Sequence, residues 1–155
     1  DDKLARILEP GATAPSRRLK MLEKAADRGI AIYVAIAPVM PFHHLGTVED
    51  VLRKIAPLQP QEVFSEVLNP MDENVKMMNE TLEKAGRMER ISELYRANHW
   101  VRWTYEYLYS AYVLARQLDC NFICWPSPHS VKSPLTDREK QWLLKWLPQE
   151  SMSLA

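Results

Sequence analysis

The sequence has only two cysteines, Cys120 and Cys124, spaced C-x3-C. A structural zinc site would need paired C-x2-C units or histidines at short spacing, and neither accompanies them. On a strand these two positions share a face about 13 Å apart, beyond the reach of a disulfide. The expectation is two reduced, mostly buried thiols in a cytoplasmic protein. A charge of one sign is also missing, because 20 Lys plus Arg balance 20 Asp plus Glu. That excludes nucleic-acid binding driven by bulk charge and leaves only a local basic face open. No apolar run reaches the roughly 18 residues of a membrane helix, and the first residues are charged, so no membrane partner is expected. There is no G-x-S-x-G elbow, no internal repeat and no low-complexity segment.

What remains is an ordinary globular composition: 155 residues, 46% of them hydrophobic, enough for one domain with a core. Position 1 is Asp, from which a processed, trimmed or fragmentary chain is expected. Ser16 or Thr13 can cap a helix to about Arg28, with Pro15 in its first turn and Gly29 at its end. The run from Ile30 to Ala37 is apolar at every position, the pattern of a parallel strand covered on both faces. Pro38 and Pro41 end it.

A short helix from a Thr47 cap to Ile55 leads to a strand over Glu62 to Leu68, then a helical stretch from Asp72 to Ala85. The longest element is expected over Met88 to Leu118, with Ile91, Leu94, Asn98, Val101, Tyr105, Leu108 and Tyr112 as its apolar stripe. A third strand covers Asn121 to Trp125, and Thr136 caps a last helix through Leu147. Strands alternating with helices predict an α/β fold with parallel crossovers. Three strands cannot close a sheet, and an open edge on so apolar a strand would invite association. The missing strands would come from upstream sequence or a second copy, which predicts a homo-oligomer.

In parallel sheets chemistry gathers at the carboxyl ends of the strands. One such place is Ala37-Pro38-Val39-Met40-Pro41-Phe42-His43-His44, whose adjacent histidines read as a polar loop more readily than as metal ligands. A second is Glu66 with Asn69. A carboxylate among valines on a buried strand must be paired, protonated or turned into a polar cavity. A third, Trp125-Pro126-Ser127-Pro128-His129, reads as a stiff loop. The stretch Tyr95-Arg96 through His99-Trp100-Val101-Arg102-Trp103 interleaves aromatics with arginines, as nucleic-acid clamps do. Half of those aromatics lie on the helical stripe, so packing explains them first.

Leu8-Glu9-Pro10-Gly11-Ala12-Thr13, then Arg18-Leu19, then Gly29 and Ala37-Pro38 resemble the signature of the radical S-adenosylmethionine enzymes of the spore photoproduct lyase, or DNA repair photolyase-like, family. The order and spacing agree over residues 5 to 44, and Glu62 to Asn69 is similar to that family's next strand. The resemblance implies the C-terminal half of a partial (β/α) barrel, with the N-terminal half that binds the cluster lying elsewhere. It implies S-adenosylmethionine and a [4Fe–4S] cluster for the whole enzyme. The adenine would be met by backbone around Ala37, Pro38 and Val39, with Glu66 facing the cavity. The family's cluster motif, C-x3-C-x2-C, is absent from this chain, so no metal ligand is expected here.

The expectation is therefore a C-terminal portion of a radical S-adenosylmethionine enzyme, acting in nucleic-acid repair or modification. No catalytic residue can be assigned. The alternative is a non-catalytic α/β module that binds or assembles by self-association.

Overall fold

Three short strands carry the architecture of the computed structural model, which describes residues 1–40, 45–69, 72–87 and 99–148. They are β1 (Tyr33–Val39), β2 (Glu62–Val67) and β3 (Phe122–Trp125). All pair in parallel in the order β1-β2-β3. The fold is α/β, as the alternation of strands and helices predicts. A sheet built in sequential order by crossovers of one hand receives its connecting helices on one face only.

The burial pattern follows from that asymmetry. Val34, Val63, Val67, Phe122 and Cys124 point into the main core beneath the helices. On the opposite face Tyr33 is 69% exposed, Ala35 and Ala37 are exposed, and Phe64, Glu66 and Ile123 are half-buried. The expectation that the first strand is covered on both sides is therefore corrected. Its second face is apolar in sequence, yet among the described residues no helix of the main core packs on it. The strand also starts later than expected, at Tyr33, leaving Ile30 outside the ladder and exposed.

Six helices are described. α1 (Asp2–Leu8) was not anticipated; Asp1 caps it by accepting from the amides of Lys3 and Leu4. α2 (Pro15–Ala26) has Ala14 at its N-cap position instead of Ser16 or Thr13. The cap is supplied from α1, because the Asp2 carboxylate accepts from the Ser16 amide at 3.0 Å and from its hydroxyl at 2.5 Å. Those two bonds hold the Asp2 carboxyl below its ordinary range. Gly29, with φ of +68°, supplies the left-handed turn that ends this segment.

α3 (Leu45–Ile55) begins before the expected Thr47 cap, and α4 (Asp72–Lys84) matches its expected span closely. α5 (His99–Gln117) is the described part of the long helix; residues 88–98, with Ile91, Leu94, Tyr95, Arg96 and Asn98, lie outside the described residues. Its buried stripe is Trp100, Val101, Thr104, Tyr107, Leu108, Ala111 and Ala115. Tyr105 and Tyr112 sit one step around the helix and stack edge-on against Trp142 instead. α6 (Asp137–Leu144) is shorter than expected but starts at Thr136 with a full capping box to Glu139.

The main core joins the sheet to Val48, Leu52 and Ile55 of α3 and to the stripe of α5. A second cluster, Leu4, Met40, Leu68, Val75 and Leu82, packs α1 and α4 against the segments that leave β1 and β2. Inside the main core Ser65 is fully buried. Its hydroxyl donates to the Ile36 carbonyl at 3.0 Å and therefore accepts from the Tyr107 hydroxyl at 2.8 Å. Burial pushes the Tyr107 phenol above its ordinary range, against a smaller opposing effect from Ser65.

At the far side of α5, Arg102 clamps Glu139 with both terminal nitrogens and also donates to the Pro134 carbonyl at 3.0 Å. The Arg102 guanidinium, followed by the Thr136 amide, holds the Glu139 carboxyl down to about 2 from 4.5.

Three substitutions check this account. Ser65→Ala leaves a buried phenol and a buried carbonyl without their shared partner, so urea unfolding should show a loss of about 1–3 kcal/mol with little change in slope. Because the folded Glu139 pKa is depressed, its contribution is complete above about pH 4.5 and is lost as pH falls toward about 2. Glu139→Gln should flatten that acid decline, and Thr136→Ala should cost about 1 kcal/mol at neutral pH.

Candidate functional site

The carboxyl ends of the three strands bring together residues that lie far apart in sequence. Ala35, Phe64 and Ile123 are register partners across the open face, and Glu66 pairs with Trp125 one row further on. Alternation puts Phe64 and Glu66 on one face of β2, and Ile123 and Trp125 on the same face of β3. The Phe64 and Trp125 rings meet edge-to-face at 6.0 Å, and Trp125 stays 54% exposed. Ala35 and Ala37 on β1 contribute only methyl groups, so the row is bulky on β2 and β3 and shallow on β1.

The β1–β2 register slips between Ile36 and Val39, at the Ala37–Pro38 peptide, which is cis. Two of the three expected wall residues, Ala37 and Pro38, are exposed. Val39 is not: its side chain is 4% exposed in the main core and its carbonyl accepts from the Leu68 amide at 2.9 Å. The slip turns the Val39 side chain toward the helices.

Glu66 is half-buried on the open face and not among core valines as its sequence neighbours suggest. Those valines, Val63 and Val67, point the other way. Among the described residues its carboxylate makes no hydrogen bond or ion pair. Asn69 follows, half-buried, while Pro70, His43 and His44 lie outside the described residues.

The remaining expected sites are occupied by structural work. Cys124 is fully buried on the helix face of β3, its thiol 3.8 Å from the Leu108 carbonyl, and Cys120 is buried just before the strand. Burial pushes both thiols up, as expected for inert cysteines. Among the described residues no three His, Cys, Asp or Glu side chains gather as a metal site would require. Ser127 shapes a turn: its hydroxyl accepts from the His129 amide at 3.3 Å and its carbonyl from the Ser130 hydroxyl at 2.6 Å.

Trp100 is buried and donates its indole N–H to the Leu68 carbonyl at 3.3 Å, and Trp103 stacks on Tyr107 at 5.5 Å. With Arg102 held by Glu139, this part of the aromatic-basic stretch is committed to packing. A cavity of about 330 Å³ between α3 and α5 is lined by Val48, Tyr107 and Leu114, with the Glu49–Arg53 pair at 2.7 Å; it lies on the helix side, away from the strand ends.

The motif residues near the start form a clasp. Arg18 pairs with Glu9 at 2.6 Å and its Nε donates to the Thr13 carbonyl at 2.6 Å, closing the loop between α1 and α2. Sequence reasoning passed over Ala35 and Phe64 as site residues and placed Trp125 at the end of the third strand, where a stiff loop begins. The period-two pairs Phe64–Glu66 and Ile123–Trp125 were the available signal.

No known family model matches the chain, and no solved structure is similar to it. It is similar to the uncharacterized protein ORF301 of Acidianus two-tailed virus, 29% identical over 123 residues, covering 68% of this chain and 40% of that protein. The chain thus spans well under half the length of the relative it matches.

Thiol chemistry tests the cysteine assignment. A thiol-specific reagent should leave Cys124 unmodified in the native protein and label it on urea unfolding; rapid native labelling would overturn the assignment.

Proposed function

We propose that the chain is the C-terminal portion of a radical S-adenosylmethionine enzyme of the spore photoproduct lyase or DNA repair photolyase-like family, contributing three consecutive strands of a partial (β/α) barrel. The observation that carries the reading is the open, aromatic sheet face, opposite the helices, with Ala37, Pro38 and Glu66 at its carboxyl end. In a barrel that face is the interior, and the carboxyl ends form the mouth of the site. The Glu9–Arg18 clasp and the Ala37-Pro38 turn agree with the motif on which the resemblance rests.

The residues present fit one implied group and not the other. Small, exposed Ala35 and Ala37 beside half-buried Phe64 leave the open face accessible to S-adenosylmethionine, with exposed Ala37 and Pro38 against its adenine. Cys120 and Cys124 do not fit a [4Fe–4S] cluster: both are buried, and Cys124 faces the helices. On this reading the cluster ligands lie outside these residues. When bound, the two groups supply one-electron hydrogen abstraction; the chain's part is to bind, orient and exclude water. A nucleic acid is the proposed substrate, and the compartment is the cytoplasm.

A second reading, a non-catalytic module that self-associates, draws on the outer edge of β1, which pairs with no further strand among the described residues, and on exposed Tyr33, Ile30 and Met21. Sedimentation at micromolar concentration separates the two uses of the face. A folded monomer counts against assembly, and a dimer lost on Tyr33→Lys supports it.

For the leading reading, S-adenosylmethionine should bind the chain, and Ala37→Leu should abolish binding while leaving unfolding unchanged. Anaerobic iron–sulfur reconstitution of the chain should give no visible chromophore, whereas the gene product carrying a C-x3-C-x2-C segment should give one. A gene product without that segment overturns the reading.

A further inference from the structure

We infer that the cleft between α5 and α6 binds a planar aromatic anion, a ring system that carries a phosphate or a carboxylate. Two helices build this cleft, not the strand ends, so the inference stands apart from the reading of the open sheet face.

The cleft holds a volume of about 560 Å³. That lies inside the range of roughly 300–1,000 Å³ that small-molecule sites occupy. One wall is aromatic. Tyr105 and Tyr109, one turn apart on α5, stack with centroids 5.5 Å apart, and Trp142 of α6 meets them edge-on at 5.8 and 5.3 Å. Packing accounts for Tyr105 and Trp142, which are half-buried. It does not account for Tyr109, which is 43% exposed while two neighbouring rings hold it in place. A fixed ring open to solvent is a platform on which a second planar ring can stack.

The other wall carries charge. Arg138 and Lys145 line the cleft from α6 and its C-cap. Seven residues apart, they share one helix face and stand roughly 10 Å from each other along its axis. Both are exposed, and among the described residues neither forms an ion pair. The one acid in the lining, Glu139, is already satisfied, because it accepts from both terminal nitrogens of Arg102 and from the Thr136 amide. The cleft thus sets two unneutralised cations beside a stacking surface. An oxyanion gains charge-assisted hydrogen bonds from such groups, and a guanidinium can grip it with two at once.

Simpler ligands leave part of this arrangement unused. An inorganic anion does not engage the rings, and a neutral aromatic molecule does not engage the cations. An organic cation is repelled by Arg138 and Lys145. A metal ion finds only Glu139, and among the described residues no further ligands gather round it.

The test is calorimetric titration of the full chain with two anions and their incomplete counterparts. Adenosine monophosphate is compared with adenosine, which lacks the charge, and with ribose 5-phosphate, which lacks the ring; 2-naphthoate is compared with neutral 2-naphthamide. The expected result is about tenfold tighter binding of an aromatic anion than of its counterparts. A preference shown by adenosine monophosphate supports a nucleotide site, and one shown by 2-naphthoate alone supports an aromatic carboxylate site. Arg138→Gln combined with Lys145→Gln should erase the preference with circular dichroism and urea unfolding unchanged, because both side chains are exposed. Tyr109→Leu keeps an apolar side chain but removes the flat ring, and should weaken binding about tenfold. Ala37→Leu on the open face should change nothing. Failure of both anions, or binding insensitive to the Arg138 and Lys145 changes, overturns the site and leaves the strand-end reading standing. Loss of binding on Ala37→Leu overturns it in favour of the open face. Ribose 5-phosphate bound as tightly as adenosine monophosphate, and unaffected by Tyr109→Leu, overturns it in favour of a bare anion patch.

Discussion

Tyr107 reaches down from α5 to Ser65 on β2, and the Ser65 hydroxyl donates in turn to the Ile36 carbonyl on β1. This chain of two hydrogen bonds crosses a helix and two strands inside a mostly apolar core. Its members are costly to bury singly and are stable only together. Ile36 is the last residue before the register slip, so the bond fixes the strand where the regular ladder lapses. Cys124 beside Leu108, and Trp100 on the Leu68 carbonyl, tie the same helix to the other strand ends. The position of the Ala37–Pro38 turn therefore depends on a helix that comes some seventy residues later in sequence.

Much of this was legible from local patterns. The parallel strands at Glu62 and Phe122, the helix at Asp72 and the Thr136 cap each rest on a run or a capping residue that needs no distant partner. The misses share a physical cause. α1 is short and charge-rich, with too little periodicity to show. The cap of α2 comes from Asp2, on another element, so no rule about the preceding residue could find it. Apolar content alone cannot tell a strand covered on both faces from one whose second face is open. On the long helix the true stripe is offset by one step from the expected one, because the outer tyrosines are also apolar and pack on Trp142 and Trp146.

The same uncertainty of face governed Glu66. Its sequence neighbours are core valines, and only the alternation of the strand separates it from them. Once that phase is known, a carboxylate that looked like a buried liability becomes an outward group beside two aromatic rings. Legibility of the site thus reduces to the parity of one strand, which a single residue can reverse.

Parity gives the slip in β1 a consequence of its own. Were the same residues paired in regular alternation with no slip, Pro38 would take a core position and Val39 would point to the open face, carrying the following chain with it. The insertion sets Pro38, which has no amide to give, outside the ladder and returns Val39 to the core opposite Val67. The extra residue is therefore surplus to the core and stands on the open side of the ladder. Removing one residue there would make the ladder regular and keep Val39 opposite Val67, so a deletion that abolishes ligand binding would report the lost turn and not a lost hydrophobic phase.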